Sequence, residues 1–360
     1  MYLESGKKHE CTGCSACTKI CPVGAIKMQA DEEGFLYPVI QKEKCIGCNL
    51  CKKKCAAIPQ RENKIEKGYG LKHKNDTERI TSRSGGAFVA LSDIILKDNG
   101  VVYGADIKED FTVFHNRVEN EQQRARLKGS KYVQSEMGNT IIRIANDLKE
   151  GKKVMFSGTP CQVEGVRKAL EKENTENLFT CDLLCHGVPT QKILKDYLKF
   201  IETKENKRIV HMNFRDKKYG WSEHHETFTF EDGSCLSAQH FRNLFYGHNI
   251  LRPSCYECKY ANTKRSSDIT IGDFWGVETI APSFYDEKGV SVIFINTKKG
   301  AQWFEHIKDE VEFIEIDTNS YARNTYALND NHSPMPETRE KFWQDYKENN
   351  FSQIIEKYAK

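Results

Sequence analysis

The stretch CTGCSACTKICP, Cys11 to Pro22, sets Cys11, Cys14, Cys17 and Cys21 at C-x2-C-x2-C-x3-C-P spacing, and CIGCNLCKKKC repeats the pattern with Cys45, Cys48, Cys51 and Cys55. Two tight turns in such a run bring three thiolates onto one face of an iron–sulfur cubane, while the fourth reaches across a pseudo-twofold axis to the other cluster. The ligand sets that follow are Cys11, Cys14, Cys17 and Cys55 for one 4Fe-4S cluster, and Cys45, Cys48, Cys51 and Cys21 for the second. A pair of zinc sites would use the same residue type, but would not call for both spacings twice over with GFLYPVI between them. One position departs from the pattern: Ala56 stands where the second run would carry its proline, which alters backbone and no ligand.

This duplicated run is the bacterial ferredoxin motif, and it predicts a small α+β domain over residues 1–60. At 360 residues the chain has room for two or three domains, each able to bury a core without disulfide staples. Its 14 cysteines, with no charged-then-apolar leader ahead of them, read as metal ligands in a reducing compartment. No apolar run approaches the roughly 18 residues of a membrane span, and 29% charged residues fit a cytoplasmic protein. A net charge of +3 is too small to argue for nucleic acid. The run KKK at 52–54 reads as solvated surface, with contact to an acidic partner as the alternative.

Residues 61–79 are polar, rich in Lys and Glu and without sustained apolar periodicity, so they read as a linker. From Ile80 strands and helices alternate. GVVYGADI, KKVMFSG, LFTCDLL, RIVHMNF, SDITIGDF and VSVIFIN are strand candidates, HETFTFEDGS is a strand running into a turn, and AFVALSDIILKD and VEGVRKALEKE have helical spacing. The pattern predicts a larger α/β domain with a mixed sheet over 80–318, followed by a helical extension over 319–360.

Several predicted strand ends carry unusual residues. SRSGGAF, with Ser84, Gly85 and Gly86, opens a helix whose free N–H groups and dipole favour an anion such as a nucleotide phosphate; a plain Ser N-cap with flexible glycines is an equal reading. KGSKYVQS, with Lys131 and Tyr132, suits a flavin's ring and phosphates or a solvated helix. Cys161 in FSGTPCQVEG and Cys181 and Cys185 in CDLLCHGVP stand just after predicted strands, where α/β loops gather at one sheet edge. The pair Cys255 and Cys258 in CYECKY supplies half of a four-coordinate site, and Cys161 and Cys185 are placed to complete it.

Taken in order, SGGAF, GSKYVQS, GTPCQVEGVR, CHGVP and CYECKYA followed by RSSDITIGDFWG resemble the beta-subunit family of coenzyme F-420-reducing hydrogenases and dehydrogenases, which includes 7-hydroxymethyl chlorophyll a reductase. The resemblance covers nearly the whole chain, including the fused ferredoxin. It implies a domain that binds FAD and a third 4Fe-4S cluster, with cluster ligands at Cys161, Cys185, Cys255 and Cys258 and zinc as the alternative occupant. It places the flavin near Ser84, Gly85, Gly86, Lys131, Tyr132, Thr159 and Gln162. Asp268 and Asp273 would orient the C-x-x-C loop, help form the flavin pocket or cap turns. His186, beside Cys185, is a candidate proton donor or a structural residue; Cys181 and Cys235 read as ordinary thiols.

Clusters carry single electrons and a hydride carries two, so a flavin is needed to join them. The expected function is a flavo-iron–sulfur oxidoreductase that exchanges electrons between a ferredoxin or other redox protein and a two-electron substrate, which no motif identifies. The alternative is an electron-transfer subunit without a substrate of its own. No G-x-G-x-x-G fingerprint speaks for direct NAD use.

Overall fold

The computed structural model describes residues 1–59 and 63–359. In the N-terminal lobe, β1 (Ile26–Ala30) and β2 (Leu36–Ile40) pair antiparallel, with Ile26 opposite Ile40. The short helices Ala16–Ile20 and Leu50–Lys53 lie within the two cysteine runs and carry Cys17 and Cys51. The duplication is visible in the backbone: Gly13 and Gly47 take φ +70° and +68°, and Ser15 and Asn49 take +59° and +57°. These left-handed turns fold each C-x2-C-x2-C run back on itself, and glycine and short polar residues adopt them at least cost.

The remaining strands are β3 (Lys67–His73), β4 (Val101–Ile107), β5 (Val113–Val118), β6 (Val154–Gly158), β7 (Leu178–Leu183), β8 (Ile209–Asn213), β9 (Glu226–Phe230), β10 (Cys235–Ala238), β11 (Ile269–Asp273), β12 (Ser291–Ile295) and β13 (Val311–Ile316). Eight of them form one mixed sheet in the order β13-β3-β12-β11-β7-β6-β4-β5, and β10-β9-β8 make a separate antiparallel sheet. β4, β6, β7 and β11 run parallel, flanked by antiparallel β5 and β12. The four parallel strands therefore end at one edge, where β12 begins and antiparallel β3 ends: Asp273 faces Ser291, which faces Leu71. This is the expected α/β domain with a mixed sheet behind a ferredoxin-like lobe.

The segment read as a linker is corrected by β3, which lies inside the sheet between β13 and β12. Residues 60–62, where that boundary was drawn, fall outside the described residues. The strand lacks apolar alternation because one face is glycine: a Cβ on Gly68 would meet the Phe294 ring at 2.9 Å, and one on Gly70 the Phe274 ring at 2.6 Å. Its other face, Tyr69 and Leu71, packs into the main core with Ile293, Ile295 and Trp303. The helices Arg339–Glu348 and Phe351–Tyr358 send Phe342, Trp343 and Ile354 into a second core with Tyr197, Leu198 and Phe228.

The ferredoxin-like lobe is packed onto the large domain. Ala16, 1% exposed, shares a core with Phe156, Val163 and Val166. Lys168 Nζ donates to Cys55 O at 3.0 Å, and Arg339 grips Glu33 through Nη1 at 2.9 Å and Nη2 at 2.5 Å. Arg252, wholly buried, donates to Cys11 O at 2.7 Å, Leu36 O at 3.0 Å and Gln134 Oε1 at 2.9 Å.

Candidate iron–sulfur and flavin site

The turns of the N-terminal lobe carry Cys11, Cys14, Cys17 and Cys55 to one small cavity, bordered by Met1, Tyr2 and Cys51. Cys14, Cys17 and Cys55 lie within electrostatic reach of Cys11, and Cys51 within reach of Cys21 and Cys48. The last cysteine of each run thus stands with the other run's set. Cys45 and Cys48 are exposed. The Ala25 amide donates to Cys21 Sγ at 3.2 Å.

In the large domain, three loops at the sheet edge converge. β6 ends at Gly158, and Thr159 caps the helix Pro160–Ala169 through a capping box with Gln162, which sets Cys161 in the first turn. Cys185 follows β7. Cys255 and Cys258 sit on and just after the 3-10 turn Pro253–Glu257, anchored by the Cys255 amide on Arg252 O at 2.8 Å. All four cysteines line one cavity of about 220 Å³, together with Thr12, His186 and Tyr326. Burial, then the charge of neighbouring thiols, pushes Cys185 and Cys255 up to about 12, and Cys161 is raised for the same reasons. Buried thiols of this kind ionise only beside a concentrated positive charge, so the donor set fits a soft metal centre. Among the described residues no three His, Cys, Asp or Glu side chains converge closely enough for one ion. A cubane does not require that, because each thiolate takes a different iron. The two cysteine groups adjoin: Cys161 lies within electrostatic reach of Cys14, and a Cβ on Gly165 would meet Cys14 Sγ at 2.9 Å.

The residues expected around a flavin are distributed along the same edge. Ser84 Oγ donates to Val290 O at 2.7 Å and the Gly85 amide to Ser291 Oγ at 2.9 Å, so both are tied to β12. Gly85 serves the protein's own packing, since a Cβ there would lie 2.2 Å from Leu71 O; Gly86, at φ +90°, opens the helix Ala87–Lys97. Lys131 Nζ is used by Arg126 O at 2.9 Å and Lys128 O at 2.8 Å. Gln162 Nε2 donates to Ser135 O at 3.2 Å, and Thr159 lines the cysteine cavity.

Tyr132 instead belongs to an aromatic and cationic cluster that sequence reasoning missed. Its hydroxyl accepts from Arg215 Nη1 at 3.4 Å, and its ring lies 4.8 Å from His224 and 5.4 Å from Phe245. Arg215 also meets Asp273 at 3.2 Å and lies 4.9 Å from the Trp275 ring. Trp275 stacks on Trp221 at 5.2 Å. Arg83 donates to Trp221 O at 2.7 Å, and Lys217 Nζ to Ser84 O at 2.9 Å. The segment FRDKKYGW, Phe214 to Trp221, carried the only available signal, three aromatics among three cations.

His186 links this cluster to the cysteine cavity: it lines the cavity and lies 5.5 Å from Tyr246, which lies 5.6 Å from His224. His186 Nε2 and His248 Nε2 are 2.8 Å apart, and burial lowers His186 to about 4, which keeps the ring neutral. Asp268 accepts from the Thr180 amide at 2.9 Å and Thr297 Oγ1 at 2.9 Å, a structural role, whereas Asp273 faces the arginines. Cys181 is buried in β7 and Cys235 exposed in β10.

A ferredoxin-like lobe with two four-cysteine runs, docked beside a four-cysteine cavity at the edge of an α/β sheet, defines an iron–sulfur electron-transfer protein of the oxidoreductase class. Residues 151–319 match the family described as the C-terminal part of the coenzyme F420 hydrogenase/dehydrogenase beta subunit, and residues 10–57 match the 4Fe-4S dicluster domain family. The F subunit of the F(420)H(2) dehydrogenase of Methanosarcina mazei is 24% identical over 324 residues, 85% of this chain and 84% of the relative. A chain of the F420-reducing [NiFe] hydrogenase complex from Methanosarcina barkeri shares the fold with a TM-score of 0.51 at 18% identity, covering 71% of this chain and 84% of its own. No helix among the described residues is long and apolar enough to cross a membrane.

Proposed function

We propose that the chain is a flavo-iron–sulfur oxidoreductase that moves electrons between a one-electron redox protein and a two-electron substrate at FAD. The observation that carries this reading is the cavity shared by Cys161, Cys185, Cys255 and Cys258 next to Cys14. Those four thiols would hold a third 4Fe-4S cluster, between the ferredoxin-like pair and the aromatic cluster of Tyr132, His224, Tyr246 and Trp275. The exposed Cys45–Cys48 turn would present the outermost cluster to the redox partner. FAD, when bound, supplies the conversion between single electrons and a hydride. The residues present fit such a group: Trp275 is 47% exposed on Trp221, Tyr246 is exposed beside His224, and Arg83 carries buried N–H groups without a hydrogen-bond acceptor among the described residues. Neutral His186 lines the cysteine cavity and meets Tyr246 of this edge, and Arg215 holds the Tyr132 hydroxyl in place.

The Methanosarcina relatives are a dehydrogenase subunit and part of a hydrogenase complex, which supports a second reading: an electron-transfer subunit whose substrate binds elsewhere in an assembly. Purification without air, followed by flavin chromatography and iron analysis, tests the first. Released FAD together with on the order of 12 irons per chain is the expected result. A full iron complement with no flavin would leave the subunit reading in its place.

A further inference from the structure

Among the described residues, Arg83 is the side chain with most buried N–H groups left without a hydrogen bond. It is 10% exposed, its Nη2 donates to Trp221 O at 2.7 Å, and its Nε and Nη1 find no acceptor. Asp273 Oδ2 stands 3.6 Å from Nε, beyond a hydrogen bond, and is spent elsewhere: on Arg215 Nη1 at 3.2 Å, while Oδ1 accepts from Trp221 Nε1 at 3.1 Å. Lys217 adds a third cation, with Nζ held on Arg79 O at 2.7 Å and Ser84 O at 2.9 Å. Arg79 and Asp286 beside it cancel one another in a 2.8 Å pair. Three cations thus share one carboxylate. Burial, then the charge of Arg83 and Arg79, lowers Lys217 to about 7, as a surplus of positive charge would. A buried guanidinium with idle N–H groups is costly unless an anion completes it. The half-exposed rings of Trp275, Tyr246 and Tyr285 lie around this charge.

We propose that Arg83, flanked by Arg215 and Lys217, seats a phosphate group of the redox ligand bound at this sheet edge. The surplus positive charge left by three cations on one carboxylate matches a phosphate anion, and Nε and Nη1 offer two charged N–H donors to its oxygens. The phosphate comes either from the flavin's own diphosphate or from a phosphorylated two-electron substrate. This rests on the reading that a redox ligand binds beside the cysteine cavity.

The test uses the full chain with its clusters, kept without air, both flavin-loaded and flavin-stripped, titrated calorimetrically with inorganic pyrophosphate. Wild-type protein is expected to bind it, and Arg83→Met to bind about ten- to a hundred-fold more weakly, the loss of one or two charge-assisted hydrogen bonds. Binding confined to the stripped protein assigns the anion to the cofactor; binding to both forms assigns it to a substrate. Protein that contains no flavin as purified would overturn the FAD reading, while its pyrophosphate titration still decides the anion site. No binding to any form, or equal binding by an Arg83→Met that keeps its iron and thermal midpoint, overturns the proposal. If Arg83→Met fails to fold, Arg83→Lys carries the comparison: it keeps the charge and loses the two planar guanidinium donors, so unchanged affinity there overturns it equally.

Discussion

Replacing Arg252 by Met strikes the joint between the ferredoxin-like lobe and the large domain. The guanidinium is wholly buried and reaches across that joint to two carbonyls of the lobe, Cys11 O at 2.7 Å and Leu36 O at 3.0 Å, with Gln134 Oε1 at 2.9 Å on its own side. It also lies 4.3 Å from the Tyr37 ring. Met refills much of the stem volume but offers no donor, so both carbonyls lose their partner in a dry interior. At about 1.5–3 kcal/mol for each bond from a charged donor, docking weakens by about 3–6 kcal/mol. With 1.4 kcal/mol per factor of ten, the opened lobe becomes more populated by about a hundred-fold or more. Hydrogen exchange read by mass spectrometry without air measures this directly, because local opening sets amide protection. Peptides spanning residues 8–40 should lose about two decades of protection, while β12 at the centre of the sheet should not change. Equal protection of the lobe in wild type and Arg252→Met would refute the idea that this side chain latches it.

Cys185→Ser should lose on the order of 4 of 12 irons, since a hydroxyl is a poor ligand for soft iron–sulfur centres, and flavin reduction should slow while the exposed clusters still reduce; iron and sulfide analysis with stopped-flow absorbance checks this. Glu226, buried between the Arg242 amide at 2.5 Å and the Tyr197 hydroxyl at 3.4 Å, is pushed up to about 8 by burial. A carboxyl raised above its unfolded value of 4.5 binds its proton more tightly in the folded state, so its contribution is full below that value and is lost as pH rises towards 8. Glu226→Gln should therefore flatten the fall in denaturant stability between about pH 4.5 and 8. A parallel fall in both proteins would count against the buried carboxyl.

The cysteine pattern was legible because cluster ligation is a local demand: spacing, glycine and left-handed turns in Cys11–Cys21 and Cys45–Cys55 are set by covalent reach and backbone sterics. Most strands were legible for the same kind of reason, since VSVIFIN and KKVMFSG carry their burial in their own residues. The approach of Cys161 to Cys185 could be anticipated, because loops after parallel strands share an edge, whereas Cys255 and Cys258, which precede β11, joined that site through the family resemblance. Strand β3 could not be read this way. Its glycines make sense only beneath Phe274 and Phe294, which lie some 200 residues away, so a central strand looked like a polar linker. Arg252 and Arg83 were silent for a related reason. In sequence each is one arginine among 54 basic residues; only tertiary packing removes water from them, leaves one satisfied across a domain joint and the other short of an acceptor, and so gives them distinct roles.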